Sequence, residues 1–205
     1  EGDQAPGLPI GVKYGDFSGG QSLSDPAMNN GSVAFEASLT GSTATGSSGV
    51  CVPGVGLPIV ISGQPVAGLP SSISTVDFYS LDMNASGQLV FYADLTGAGL
   101  NQFDSNAILG YDPVNGVSVI AWGGEAINGT SLIPNNGVSL AGGTGQDHPM
   151  VLSDTGLVTF TALSSSGNRI FVTGVPEPGS LLLLGVGACV IYARRRSAWR
   201  IGREG

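Results

Sequence analysis

Ala85-Ser86-Gly87-Gln88-Leu89-Val90-Phe91-Tyr92-Ala93-Asp94-Leu95-Thr96-Gly97 is the stretch on which the fold turns. A polar residue followed by Gly supplies the positive φ of a tight turn. Alternation then begins, with Leu89, Phe91, Ala93 and Leu95 facing inward. That period of two predicts a half-buried strand. Asn29 to Gly41 reads the same way: Val33, Phe35, Ala37 and Leu39 face one side, and Ser32, Ala34, Glu36 and Ser38 the other. Asp154 to Ala162 is a third, more worn version. The landmarks are Gly31 and Phe35, Gly87 and Phe91, Gly156 and Phe160. These glycines are 56 and 69 residues apart, so the connecting loops vary in length.

A second motif precedes each landmark at a fixed period. Glu1 to Leu8 aligns with Ser62 to Leu69 and with Gly123 to Thr130. Gly2, Gly63 and Gly124 are spaced by 61 residues, as are Gly7, Gly68 and Gly129. Such a period marks tandem repeats. Further strands are expected at Ile59–Ile61, Ile73–Phe78, Ala107–Tyr111, Val117–Trp122 and Ile170–Val172. Asp112 to Gly116 forms a hairpin turn between two of them. The expected fold is all-β, with three tandem units at about 1–56, 57–118 and 119–174. Each unit holds roughly four short antiparallel strands, the size of a β-propeller blade. Three blades do not close a ring of the usual four to eight, so further units are expected upstream. The absence of an initiating Met and of an apolar leader points the same way.

Composition supports a strand-and-turn chain. There are 34 glycines and 12 prolines among 205 residues, and only 11% of residues are charged. An apolar content of 41% argues against disorder. Residues 1–175 carry 13 acidic residues against Lys13 and Arg169 alone. Binding to nucleic acid needs basic groups that displace counterions, so no nucleic-acid partner is expected. Cys51 has no second cysteine in this part of the chain, which excludes an internal disulfide there.

The C-terminal stretch departs from all of this. Val175-Pro176-Glu177-Pro178 is followed by the apolar run Leu181-Leu182-Leu183-Leu184 to Ala193, then by Arg194-Arg195-Arg196. A helix from Gly179 to Ala193 would rise about 22 Å, short of a bilayer core of about 30 Å. Flanking residues and snorkelling arginines make up the difference. The arginines stop transfer and stay cytoplasmic. Residues 197–205 then form a cytoplasmic tail.

Residues 175–196 resemble the PEP-CTERM sorting signal of Gram-negative bacteria. The resemblance rests on Pro176, Glu177 and Pro178, on Leu181 to Leu184, and on Arg194, Arg195 and Arg196. It implies export, one transmembrane helix in an inner-membrane-inserted precursor, an exosortase-type protease as partner, and a final place at the cell surface or outside the cell. The turn-and-strand landmark resembles bacterial proteins named for a tandem Asn-x-x-Gly-x-x-Ala-Phe repeat. Asn84, Gly87, Val90 and Phe91 fit that pattern best. This resemblance implies an exported repeat protein and supplies no catalytic residues.

Little in the sequence points to catalysis. His148 is the only histidine, in Gln146-Asp147-His148-Pro149, and a hydrolase would need a nucleophile and an orienting acid beside it. It reads as a surface-loop residue. Asp77, Asp82, Asp104, Asp112 and Asp154 lie one per loop or strand end, without the clustered spacing of a calcium loop. No metal or other cofactor is expected. Asn84-Ala85-Ser86 and Asn128-Gly129-Thr130 match the glycosylation acceptor pattern. The sequence therefore favours a non-enzymatic envelope, extracellular-matrix or biofilm component, with extracellular polysaccharide as an expected ligand class. The rival is a secreted hydrolase or glycan-binding protein whose active part lies upstream.

Overall fold

The computed structural model describes residues 2–5, 7–15, 26–41, 48–55, 58–100, 105–123, 126–127, 130–131, 150–164 and 167–175. These residues are all β, in antiparallel sheets and without a helix. The first sheet contains β1 (Lys13–Tyr14), β2 (Ala27–Asn29), β3 (Ser32–Thr40), β4 (Ser48–Cys51) and β5 (Pro58–Ile61). Its strands run β1-β3-β4-β5, with β2 also on β3. The second is a four-stranded meander of β6 (Ile73–Met83), β7 (Leu89–Gly97), β8 (Asn106–Asp112) and β9 (Gly116–Trp122). β10 (Ala126–Ile127) and β11 (Thr130–Ser131) pair with each other. The last sheet is β12 (Met150–Leu152), β13 (Leu157–Ser164) and β14 (Gly167–Gly174).

Local chemistry sets the turns. Asn29 pairs with Ser32, which leaves Asn30 and Gly31 as a two-residue loop. Both have positive φ, 46° and 80°, the requirement of a hairpin turn whose twist matches its strands. Gly87 and Gly156, at φ 76° and 77°, each end a longer, three-residue turn before β7 and β13, closed by Asn84 with Gln88 and by Ser153 with Leu157. Gly41 and Gly97 end β3 and β7 for a steric reason. A methyl on Gly97 would run into the Ser72 carbonyl oxygen, and one on Gly41 into that of Gly11.

Backbone hydrogen bonds recur at the 61-residue period. Gly2 donates to Tyr14, Leu8 to Ala5 and Val12 to Pro9. Sixty-one residues on, Gly63 donates to Thr75, Leu69 to Val66 and Ile73 to Pro70. Register follows suit: Lys13 and Tyr14 oppose Thr40 and Leu39, as Ser74 and Thr75 oppose Thr96 and Leu95.

The second sheet lies between the other two. β6 touches β2, β3 and β4, while β6 and β7 both touch β12. One apolar cluster runs through all three sheets, from Ala34 and Val50 through Phe78, Phe91 and Tyr92 to Met150 and Phe160. A smaller cluster of Ala5, Val12 and Leu39 lies beneath the N-terminal turn. Phe78 meets Phe91 edge-on at 5.9 Å, and Tyr79 stacks on Tyr92 at 5.3 Å. Burying each such side chain contributes about 1.5–3 kcal/mol.

Several expectations need correction. β7 is buried on both faces, not one: Leu89, Phe91 and Ala93 on one side, Val90 and Tyr92 on the other. A central strand covered by two neighbouring sheets loses the polar half of its alternation. In β3, Ala34 is fully buried while Val33 and Phe35 are only partly so, because Ala34 faces the common core. β6 runs to Met83, well beyond Phe78. Register shifts after Thr75 and Tyr79, with Ser80 at φ 54°, break its alternation. β4 carries too few large apolar residues to announce itself. Gly49 is needed there, since a Cβ would lie 3.0 Å from the Val60 carbonyl oxygen. Among the described residues the sheets form neither a propeller ring nor a closed barrel.

The Thr75 hydroxyl is buried without a hydrogen-bond partner. A buried polar group left unpaired costs about 1–3 kcal/mol. Thr75→Val, of the same shape, is therefore expected to stabilise the chain by about 1 kcal/mol. A urea midpoint equal to or below that of the parent would contradict this.

Candidate functional site

Two polar clusters stand out on the central sheet. The first gathers at the turns that start β7 and β13. Asn84 is almost wholly buried. Its Oδ1 accepts from the backbone N–H of Ser86 and of Gln88, each at 3.0 Å. Its Nδ2 donates to Gln88 Oε1 at 2.7 Å and to the Ser153 carbonyl at 3.2 Å. Gln88 Nε2 donates on to Asp112 Oδ2, and Asp112 Oδ1 accepts from the backbone of Val114 and Asn115. Asp154 Oδ1 accepts from the Ala85 backbone, and Asp82 Oδ2 from that of Leu152. Asn29 Nδ2 donates to the Met83 carbonyl, so each of the first two turns reaches the sheet that follows. Gly156 makes the approach close, as a Cβ there would sit 2.9 Å from Gln88 Oε1. Every named group is satisfied within the fold, so the cluster clamps sheet to sheet.

The second cluster crosses β6, β7 and β8. Register puts Tyr79 opposite Tyr92, and Asp94 opposite both Asp77 and Asn106. Paired residues share a face. The Tyr79 hydroxyl donates to Asp94 Oδ1 at 2.8 Å, and Asn106 Nδ2 donates to the same oxygen at 2.7 Å. Burial raises the Asp94 pKa above its ordinary 3.8, and the Asp77 charge adds to the rise. The Tyr79 hydrogen bond opposes both. Burial also pushes the Tyr79 hydroxyl well above the usual phenol range. A phenol and an amide are donors here, not bases, so the cluster has no partner to activate a nucleophile.

A raised carboxyl pKa means the folded chain binds more protons than the unfolded one. The stability Asp94 contributes is greatest below its ordinary value and is lost as pH rises through the folded value. Asp94→Asn keeps the Oδ1 acceptor and removes the titration. It is expected to flatten the fall in urea midpoint as pH rises above about 4. An unchanged pH profile in the variant would show that Asp94 is not the group responsible.

The other candidates lie apart. Cys51 is buried, and burial pushes its thiol up to about 11. The Tyr14 hydroxyl beside it is pushed up to about 12, chiefly by burial. A thiol so far from its thiolate form is a poor nucleophile. Asn84, one of the two glycosylation-pattern asparagines, spends its amide inside the fold. Asn128, His148 and Asp104 lie outside the described residues, as do Pro176, Glu177 and Pro178, Leu181 to Leu184 and Arg194 to Arg196. Gly87 and Gly156 sit in matching three-residue turns, closed by Asn84 with Gln88 and by Ser153 with Leu157, whereas Gly31 ends a two-residue turn; Phe91 and Phe160 are core residues. Among the described residues no three His, Cys, Asp or Glu converge to hold a metal ion. Among them, too, no helix is long and apolar enough to cross a membrane. The sequence did not single out the Tyr79–Asp94–Asn106 cluster. Its members are adjacent only through strand register.

A family model described as a family of unknown function (DUF7453) matches residues 1–182. The chain belongs to that family. A second model, the PEP-CTERM protein-sorting motif, matches residues 174–196. The DUF7453 chain is thus an exported protein with a membrane-inserted precursor, sorted by an exosortase. These matches lend no support to the Asn-x-x-Gly-x-x-Ala-Phe repeat family. No curated protein and no solved structure matches the chain.

Proposed function

We propose that this DUF7453 protein is a non-enzymatic component of the cell envelope or extracellular matrix, built from three copies of one β unit and delivered by its C-terminal signal. The observation that carries delivery is the sorting motif at residues 174–196. The repeat reading is supported by the backbone hydrogen bonds that recur 61 residues apart and by a positive-φ glycine before each of β3, β7 and β13. The structural role is supported by the two polar clusters, whose side-chain partners lie within the fold. An exposed sheet surface would offer extracellular polysaccharide a binding face.

In the same proposal the apolar run from Leu181 serves as a temporary anchor. Proline disfavours a helix interior, so the Pro176-Glu177-Pro178 segment is the proposed place for an exosortase-type protease to cut. Deleting residues 174–205 in the native host tests the delivery. The truncated chain is expected to vanish from the cell surface and accumulate in soluble export intermediates. Undiminished surface display would refute the reading. Hydrolysis of glycosides, esters or peptides by the purified full chain would refute the non-enzymatic part.

A further inference from the structure

The last sheet is incomplete on two sides. β4 and β8 each carry a further strand, β5 and β9, whereas β14 pairs only with β13 among the described residues. Among the described residues nothing covers the outer face of this sheet either. Val151, Thr159 and Val172 lie in one cross-strand row, with Thr161 opposite Ile170 beside it. Ile170 is 73% exposed, Val172 62% and Val151 59%. Leu157 lies on the same face and is exposed as well. The opposite face is core, with Met150, Val158 and Phe160 buried and Phe171 stacked on Phe160. In a strongly acidic chain this outer face has no charged residue at any of its seven described positions, Gly174 opposite Leu157 included.

An exposed, flat, apolar edge strand invites pairing with another strand. Pro176 and Pro178 have no N–H to give to a ladder, and the residues from Leu181 belong to the sorting segment. We propose that β14 pairs antiparallel with β14 of a second copy of this chain, joining two three-stranded sheets into one. A two-fold axis at Phe171 places Ile170 of one copy opposite Val172 of the other. The exposed apolar rows then become continuous across the join. Aliphatic β-branched side chains opposite each other are a favourable cross-strand pair.

Position favours a second copy over any other partner. β14 ends directly before the sorting segment, so in two membrane-inserted precursors the two β14 strands stand at the same height above the bilayer. Confinement to that layer raises their effective concentration. This last argument rests on the sorting reading above, whereas the edge and the face do not.

The test uses the full chain in its native host, in a Cys189→Ser background. Ile170→Cys and Val172→Cys are introduced together. Opposed residues in an antiparallel pair have Cα atoms about 4.5–5.5 Å apart, within reach of a disulfide. Oxidation is expected to give on the order of tenfold more covalent dimer than a Val114→Cys control, a site 81% exposed on the β8–β9 turn. Monomer alone, or equal dimer from the control, overturns the proposal. The fraction in which the chain is found reports separately on sorting. Dimer in the membrane or the soluble fraction supports the pairing, and monomer in either contradicts it.

Discussion

Gly97→Ala is expected to lower stability by about 3–5 kcal/mol, enough to unfold much of a marginally stable domain. The added methyl would collide with the Ser72 carbonyl oxygen and lie 2.9 Å from Ile73 Cα. Both are backbone atoms, Ser72 in the turn that leads into β6 and Ile73 at the start of β6, so neither moves aside as a side-chain tip would. Gly41→Ala meets Gly11 and Val12 in the same way and is expected to cost a similar amount. Gly99→Ala is the control. Its φ is also positive, at 88°, but a Cβ there has nothing within 4 Å, and about 1 kcal/mol is expected. Urea midpoints order the three variants. Equal losses at all three would show that positive φ alone, not the close strand crossing, fixes these glycines.

The second large effect concerns Phe91, which has no exposed surface and packs edge-on to Phe78. Phe91→Ala leaves a cavity at the middle of the central sheet, against both flanking strands. The expected loss is about 3–5 kcal/mol. Phe35→Ala tests the contrast. Phe35 holds the matching place in β3 but is only partly buried, with Tyr14 edge-on at 6.1 Å. It should cost roughly half as much. A smaller loss at Phe91 than at Phe35 would mean that the shared core does not centre on β7.

How much of this was legible in the sequence depends on what each feature needs. The strands at Ser32–Thr40, Leu89–Gly97 and Leu157–Ser164 were legible, because a glycine turn and an apolar alternation are local signals. The 61-residue spacing of Gly2, Gly63 and Gly124 was legible too, and the first two glycines make the same backbone hydrogen bond. β2 and β4 were not, since Ala27 to Asn29 and Ser48 to Cys51 are short and hold small or polar residues. The burial of Val90 and Tyr92 was hidden because it depends on a third sheet brought in from residues 150–175. The Asn84 network was hidden for the same reason: Asn84 reads as a turn residue, and its contact with Ser153 is set by the packing of sheets.

The sorting segment is expected to carry this all-β exported chain to the membrane and then to be removed. Intact-mass measurement of the protein recovered from the native host tests this directly. The expected C-terminus lies between Val175 and Leu181, with the apolar run and Arg194, Arg195 and Arg196 gone. A recovered protein that still ends at Gly205 would contradict it.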